Sequence, residues 1–551
     1  MFSKFEKKIL DNYVTSTDDP IYAIKHTIPP EVFGAFGSYF SRNPKDFREN
    51  LMDAIKGQIE EEKTNVSEGQ LKWLAEGDFR SSSDAIQKGL AKSQGFFRKW
   101  YGKYSHKSIA NTVWIPMVAN NVSQLFAREL AYDQLAFFIE QSTRYVEWGM
   151  DSMFLDEDVM KSEHKKIFKK SLETSIKSYH DFKDIAVEYY RNNIPFEKWL
   201  KWQLEDTLQE TEKFQENKYN RETRAAALDV SRFLLPQACK TNIAWILDAR
   251  STEFDIAAWK GHPLNEMKEA AELIEKAAGE IAPSLLKYTE KNEYYAEKLN
   301  GYGLQKTNLF QSFGKGVDII SYNSDALNES LTYILKRHGR GGKFSQVYQS
   351  VKEMDFSEKI NWLRKFVEKR GSYDEWIEMD EEFDLTKITF DLQTDIGAIR
   401  DWRRHQKWDR SEALYTLDNG VHKPYMVKEM GKKAEEIFDN SIEIAHDSEI
   451  KIRDQFPYQA QYVVPMATMH SITMSGGLDQ LQYMLWTRST PQGNFSYRED
   501  AFNIAEEVVK IHPWFLGYEK YPEGKNFRQI YDEAPLKGLL NLQWGETALH
   551  Q

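Results

Sequence analysis

The sequence predicts an α/β (α+β) protein made of two tandem copies of one domain, each a small sheet flanked by long helices. Three observations predict it. The chain has 551 residues, too many for one hydrophobic core. Short strand-like runs are followed by long apolar-periodic helices in both halves. Two pairs of segments also line up in order: Phe233-Leu234-Leu235-Pro236 with Tyr462-Val463-Val464-Pro465, and Val113 to Glu140 with Ile388 to Glu412. Each member of the second pair reads as strand, helix, polar stretch and acidic residue. Glu140 and Pro236 are 96 residues apart, Glu412 and Pro465 only 53. The first copy is therefore expected to carry an insertion of charged helices at about residues 157–200. The expected domains are 1–310 and 311–551.

Taken in order, residues 31–56 repeat aromatics at helical spacing, and Ser81-Ser82-Ser83-Asp84 offers a helix cap. Val113-Trp114-Ile115-Pro116-Met117-Val118 reads as a strand that Pro116 restricts to an edge or a bulge. A helix through Phe126 and Leu130 follows. Residues 222–280 read as two helices, the first running through Arg232-Phe233-Leu234-Leu235-Pro236 to Ile243 and Trp245. The second copy opens with a strand at Val317–Tyr322 and a helix from Ser324 to Lys336. Arg337-His338-Gly339-Arg340-Gly341-Gly342 lacks the spacing of a phosphate loop and reads as a loop. Leu385 to Leu392 alternates and is the clearest strand. Helices are expected at Ile396–Gln406 and 426–455, and again from Tyr462.

Hydrophobic residues make up 41% and charged residues 29%, a soluble globular composition. The net charge of −12 argues against a protein that grips nucleic acid or an anionic membrane, but leaves room for a small anion held by local arginines. One cysteine, Cys239, excludes a disulfide framework or a cysteine-built metal site within one chain. It reads as a buried structural residue. The N-terminus lacks the apolar core of a signal peptide and no run is long enough to span a bilayer, so a cytoplasmic location is expected.

The stretch with the most chemistry is Phe137-Phe138-Ile139-Glu140-Gln141-Ser142-Thr143-Arg144-Tyr145-Val146. In an extended backbone, Glu140, Ser142 and Arg144 share one face within about 7 Å, at a rise of about 3.3 Å per residue. A carboxylate, a hydroxyl and a guanidinium fork so placed suit a phosphate or a nucleotide. Arg400-Asp401-Trp402-Arg403-Arg404-His405-Gln406 answers it downstream. Read without the motifs around them, Arg144 is a surface ion-pair partner, Arg232 a helix-start salt bridge, and Arg400–Arg404 a solvated helix face with His405 beside it.

The motifs change that reading. Glu140-Gln141-Ser142-Thr143-Arg144-Tyr145 resembles the end of the signature R-H-R-x-x-S-x-N-E-x-S-x-R-Y of flavin-dependent thymidylate synthases. His106-Lys107-Ser108-Ile109 resembles their G-H-x-S turn, Arg232-Phe233-Leu234-Leu235-Pro236 their R-x-x-L-P start, and Asp248-Ala249-Arg250 their N-A-R segment. In the second half, Trp402-Arg403-Arg404-His405-Gln406 resembles the W-x-R-H-R opening. Glu412 falls at the signature Glu, and Arg488 at the arginine that acts on the pyrimidine. Departures occur in both halves: Tyr132-Asp133-Gln134 replaces R-H-R in the first, where Phe254 and Trp259 replace Asn and Arg. Leu414, Thr416 and Gln461 replace Ser, Arg and Arg in the second.

The resemblance implies two ThyX-like domains and an enzyme that converts deoxyuridylate (dUMP) to thymidylate, with FAD as cofactor and NADPH and methylenetetrahydrofolate as co-substrates. It implies Arg488 as the catalytic residue that polarises the uracil, and Glu140, Ser142, Arg144 and Arg232 as substrate contacts. His106, Ser108, Arg404, His405 and Glu412 would bind cofactor, and no metal is expected. One working site could be built from two half-degenerate copies, and a homodimer would imitate the four-lobed assembly of the simple enzymes. The alternatives are a flavin- or folate-dependent modification of another pyrimidine nucleotide, and a degenerate nucleotide-binding homologue without turnover.

Overall fold

In the computed structural model the described residues are 2–25, 44–55, 107–143, 146–201, 210–299, 312–339, 341–367, 381–489 and 493–515. Arg144, Tyr145, His106 and the expected cap at Ser81–Asp84 lie outside them. No helix among the described residues is long and apolar enough to cross a membrane. The chain forms two compact units, one of residues 1–309 and 424–466, the other of 310–423 and 467–551. The first break falls beside the expected junction at residue 310, while segment 424–466 of the second copy belongs to the first unit.

The first unit opens with helix α1 (Lys4–Leu10), strand β1 (Ile21–Ala23) and helix α2 (Phe47–Ile55). Strand β2 (Trp114–Ser123), helix α3 (Gln124–Tyr132) and strand β3 (Phe137–Glu140) follow. Two long helices, α4 (Lys165–Asn193) and α5 (Glu212–Ser231), lead to strand β4 (Lys240–Asp248), then helices α6 (Ala249–Trp259) and α7 (Asn265–Ile281). The expected insertion is helical, with short helices Glu157–Lys161 and Phe196–Leu200 on either side of α4.

The second unit repeats the plan. Strand β5 (Gly316–Tyr322) precedes helices α8 (Ala326–His338), α9 (Phe344–Glu353) and α10 (Phe356–Val367). Then come strand β6 (Lys387–Asp395), helix α11 (Ile396–Trp402) and strand β7 (Asp409–Glu412). Helix α12 (Lys432–Arg453) lies in the first unit, packed on α4. Strand β8 (Met469–Gly477) and helices α13 (Leu478–Ser489) and α14 (Phe495–Ile511) complete the second unit.

Both sheets are antiparallel and share one topology, β1-β2-β4-β3 and β5-β6-β8-β7. Two sheets with the same order, each followed by the same two helices, are two copies of one domain. Segments taken as equivalent from the sequence meet within the first unit. Pro236 and Pro465 form an antiparallel bridge. Gln237 N–H donates to the Val464 carbonyl at 3.0 Å and Met466 N–H to the Leu235 carbonyl at 2.9 Å, a reciprocal pair that makes the contact locally two-fold.

Four expectations are corrected. The run from Phe233 through Trp245 is not a helix: Arg232–Leu234 is one 3-10 turn and Lys240 begins a strand. The same holds after Tyr462, where Met469 begins β8. Strand β4 lies between β2 and β3 and is buried on both faces, so its apolar run carries no period of two. The expected helix Ile396–Gln406 stops at Trp402. Pro116 sits in a central strand, not at an edge. The Ile24 N–H donates to its carbonyl at 2.8 Å, so its missing N–H faces the β1 side just beyond the end of that strand at Ala23. The bulge in β2 lies elsewhere, between Ala119 and Val122, where Asn121 has a φ of 59°.

Candidate functional site

The second unit gathers a buried cationic site at the end of α11. Asp395 caps the helix start, accepting from Ala398 N–H at 2.8 Å. The helix lasts seven residues, so the four residues after Asp401 emerge together at its C-terminus. Arg403 turns inward: its Nε donates to Glu412 Oε1 at 2.8 Å and its Nη2 to Glu412 Oε2 and the Tyr415 hydroxyl. Burial alone would disfavour the Arg403 charge, but the Glu412 carboxylate and Tyr415 more than offset it and raise its pKa.

His405 is also buried. Arg488, arriving from α13, donates from Nε to His405 Nε2 at 2.8 Å. An arginine can only donate, so Nε2 is unprotonated and the imidazole proton is on Nδ1. Burial, then the Arg488, Arg410 and Arg404 charges, hold the His405 pKa well below the usual value, so the ring is neutral. Asp401 lies 3.6 Å from Arg488 Nη1 and 3.8 Å from Arg404 Nε. Burial first, and then Arg404, lower the Arg488 pKa against the pull of Asp401. Arg404 itself is exposed. A field of several guanidinium groups around a neutral imidazole fits an anionic ligand.

The structure therefore brings together Arg404, His405 and Arg488, three of the residues singled out in the sequence. Glu412 is held by Arg403 rather than turned toward Arg404. In the first unit, Glu140 ends β3 opposite Ile243 and is buried. Gln141 N–H extends the pairing to the Asn242 carbonyl at 2.9 Å, so the backbone stays extended up to the half-buried Ser142. Arg232, buried at the start of its 3-10 turn, donates from Nη1 to Thr143 Oγ1 at 3.2 Å. Arg232 thus joins the segment of Glu140 and Ser142 across 89 residues. Ser108 lies exposed on the 3-10 turn Lys107–Thr112. Cys239 is buried, its Sγ 3.9 Å from Met153 Sδ. No group of three or more His, Cys, Asp or Glu side chains that could hold a metal ion occurs among the described residues.

Sequence reading missed Arg403, Tyr415 and Asp401, and a second buried set behind them. Lys315 Nζ donates to Asp500 Oδ1 at 2.8 Å and lies 3.7 Å from Asp395. Asp395 Oδ2 also accepts from Ser496 Oγ and lies 2.9 Å from His422 Nδ1. Asp500 Oδ2 accepts from Trp402 Nε1 at 3.0 Å and Thr394 Oγ1 at 2.7 Å. Partners up to 185 residues apart leave no local pattern. The one readable signal was Asp395 as a helix cap.

A two-copy α/β scaffold with a buried arginine–histidine site defines an enzyme-like class, and similarity identifies it further. The model of the family described as thymidylate synthase complementing protein matches residues 63–284 and 336–514. The chain belongs to this family, a flavin-dependent one acting on deoxyuridylate. A UPF0159 protein of Chlamydia muridarum is 24% identical over 543 residues, covering 94% of this chain and 95% of that protein. One from Thermoplasma acidophilum is 23% identical over 478 residues, covering 81% and 94%. A crystal structure of the UMP/dUMP methylase PolB from Streptomyces cacaoi bound with 5-Br dUMP matches 36% of this chain and 92% of its own, at 14% identity and a TM-score of 0.27.

Proposed function

We propose that this chain is a flavin-dependent thymidylate synthase that reductively methylates dUMP, with FAD as cofactor and methylenetetrahydrofolate and NADPH as co-substrates. The contact between His405 and Arg488 at 2.8 Å carries the reading. It joins the residues assigned to flavin and to the pyrimidine, 83 positions apart. Reduced flavin, when bound, supplies the hydride, and the folate supplies the one-carbon unit.

This chain's own residues bind and polarise. Arg404, exposed and cationic, is assigned to the flavin's anionic part. His405, neutral and accepting from Arg488, fixes the rotamer of that guanidinium. Arg488 is the catalytic residue: a fixed fork whose N–H groups polarise a uracil carbonyl as negative charge develops. Glu412 keeps Arg403 inward and so supports the turn, its part in cofactor binding being indirect. In the first copy Glu140, Ser142, Arg144 and Arg232 are assigned to the nucleotide, and His106 and Ser108 to the cofactor. Cytoplasmic residence and a homodimer that works as a pseudo-tetramer belong to the same proposal.

The test is thymidylate formation from dUMP, methylenetetrahydrofolate and NADPH by the flavin-loaded protein. Product is expected, with a loss of about 100-fold or more in kcat for Arg488→Ala, the scale for removing a donor at developing charge. Binding of flavin and dUMP without turnover would replace this reading with the non-catalytic one. Turnover of a different pyrimidine nucleotide would replace the substrate.

A further inference from the structure

Helix α11 presents Asp401, Arg403, Arg404 and His405 at its end, and both its ends touch one buried charged cluster. At the start, Asp395 caps the helix through Ala398 N–H at 2.8 Å and faces Lys315 at 3.7 Å. At the finish, Trp402 Nε1 donates to Asp500 Oδ2 at 3.0 Å, while Asp500 Oδ1 accepts from Lys315 at 2.8 Å. Lys315 Nζ also donates to the Ser496 carbonyl at 2.9 Å and to Ser496 Oγ at 2.6 Å. One ammonium thus ties together the carboxylates at the two ends of a seven-residue helix.

The first copy supplies the control. Ser123 and Glu140 are separated by the same 17 residues as Asp395 and Glu412, so Leu130 stands at Trp402 and Asp133 at His405. Strand register places Asp19 at Lys315. The sixth residue of the later helix is Ala270 in α7 and Asp500 in α14. Val122, Leu130 and Ala270 are buried and apolar where the second copy has Thr394, Trp402 and Asp500. The clamp is present in the copy that keeps Arg404 and His405, and missing from the copy that lost them.

We propose that Lys315, with Asp395, Asp500 and Trp402, is a set of positioning residues that holds α11 so that Arg404 and His405 meet the flavin. The inference rests on the flavin reading above. Burial works against the Lys315 charge, but Asp500, Asp395 and Glu499 more than offset it. The ammonium is therefore present at neutral pH, and its removal leaves buried carboxylates facing each other.

The experiment measures FAD affinity by flavin fluorescence and records the indole N–H spectrum of 15N-tryptophan-labelled full-length protein, for wild type, Lys315→Met and Trp402→Phe. Trp402→Phe keeps an aromatic side chain but a smaller one, loses the indole N–H and identifies the Trp402 signal. Lys315→Met should weaken FAD binding by roughly tenfold, the scale for a lost buried hydrogen-bond partner, and shift the Trp402 indole signal. Trp402→Phe should weaken FAD binding less, although the void left by the smaller ring at this fully buried position lowers the melting temperature. Wild type that binds FAD, with Lys315→Met equal to it, overturns the clamp and leaves the flavin reading standing. Wild type without FAD affinity overturns the flavin reading, and the clamp as a flavin-positioning device falls with it. An unmoved indole signal in Lys315→Met overturns the link to Trp402 whatever the flavin does.

Discussion

The two sheets have the same strand order but opposite outer faces. In the first, Val118 on β2 pairs with Ala244 on β4, and both are buried in a cluster with Leu10, Tyr13, Phe47 and Leu51. In the second, the register puts Asp391 opposite Thr473 at the same place. Thr473 Oγ1 donates to Asp391 Oδ1 at 2.8 Å and Ser471 Oγ to Oδ2 at 2.6 Å, and this face is half-exposed. Helices α1 and α2 cover the first sheet; the second has its apolar side chains, Ile388, Phe390 and Leu392, on the other face, in the core. The backbone plan is the same in both sheets, while the outer face differs between a dry seam and a wet hydroxyl–carboxylate ladder.

The largest test of that contrast is to write one face into the other. Val118→Asp copies Asp391 into the covered sheet, without the Ser471 and Thr473 hydroxyls: Asn242 and Ala244 stand there. An uncompensated buried carboxylate should cost about 3–5 kcal/mol, measured by urea unfolding. A loss under about 1 kcal/mol, the level of a surface substitution, would mean that α1 and α2 do not seal the face in solution.

The copies have also exchanged polar roles. In the first, Ser123 ends β2 and donates to Glu266, the second residue of α7, at 2.6 Å. In the second, Asp395 ends β6 and accepts from Ser496, the second residue of α14. The hydroxyl and the carboxylate have traded places across the same strand–helix contact. Their pH responses should differ in sign. Burial raises the Glu266 pKa despite its hydrogen bonds from Ser123 and Tyr462. The folded state then holds a proton that the unfolded chain has released, and stability falls as pH rises through that window. Asp395 is lowered, burial being outweighed by His422, Lys315 and Ser496. Its contribution is present above the unfolded value, near pH 4, and fades as pH falls below it. Hydrogen exchange corrected for intrinsic rates should show, on lowering pH through 5 to 3, protection rising around α7 relative to the start of α11, which Asp395 caps. Helix α14 does not serve as the reference, because burial raises the pKa of its Asp500. Glu266→Gln and Asp395→Asn should flatten the respective trends. Parallel loss in both wild-type regions would refute the exchange of roles as an electrostatic one.

How far the sequence revealed these features follows from exposure and distance. Strand β6 was legible because Thr389, Asp391 and Gln393 alternate with Ile388, Phe390 and Leu392. Strand β4 was not, because burial on both faces erased the alternation. The tandem plan was legible in the Pro236 and Pro465 segments, whereas the loan of 424–466 to the first unit rests on packing that no local pattern records. Arg404, His405 and Arg488 were singled out through motif resemblance, and the fold brings them together. Lys315 and Asp500 were not, because each looks like any surface charge until the fold buries it.

The smallest expected effect is the reverse face exchange, Asp391→Val, which copies Val118 into the second sheet. Asp391 accepts from Ser471, Thr473 and Gln393, so the substitution strips an acceptor from three donors. All three are half-exposed, and water can replace the lost acceptor, which a buried donor could not arrange. Valine also suits a strand better than aspartate and recovers part of the loss. The net cost should be about 1 kcal/mol or less, read by the same urea unfolding as Val118→Asp. The asymmetry between the two substitutions is the sharp form of the comparison: one carboxylate into the dry face costs several times what one valine in the wet face does. Equal costs would mean that the hydroxyl–carboxylate ladder holds the second sheet together as strongly as apolar burial holds the first.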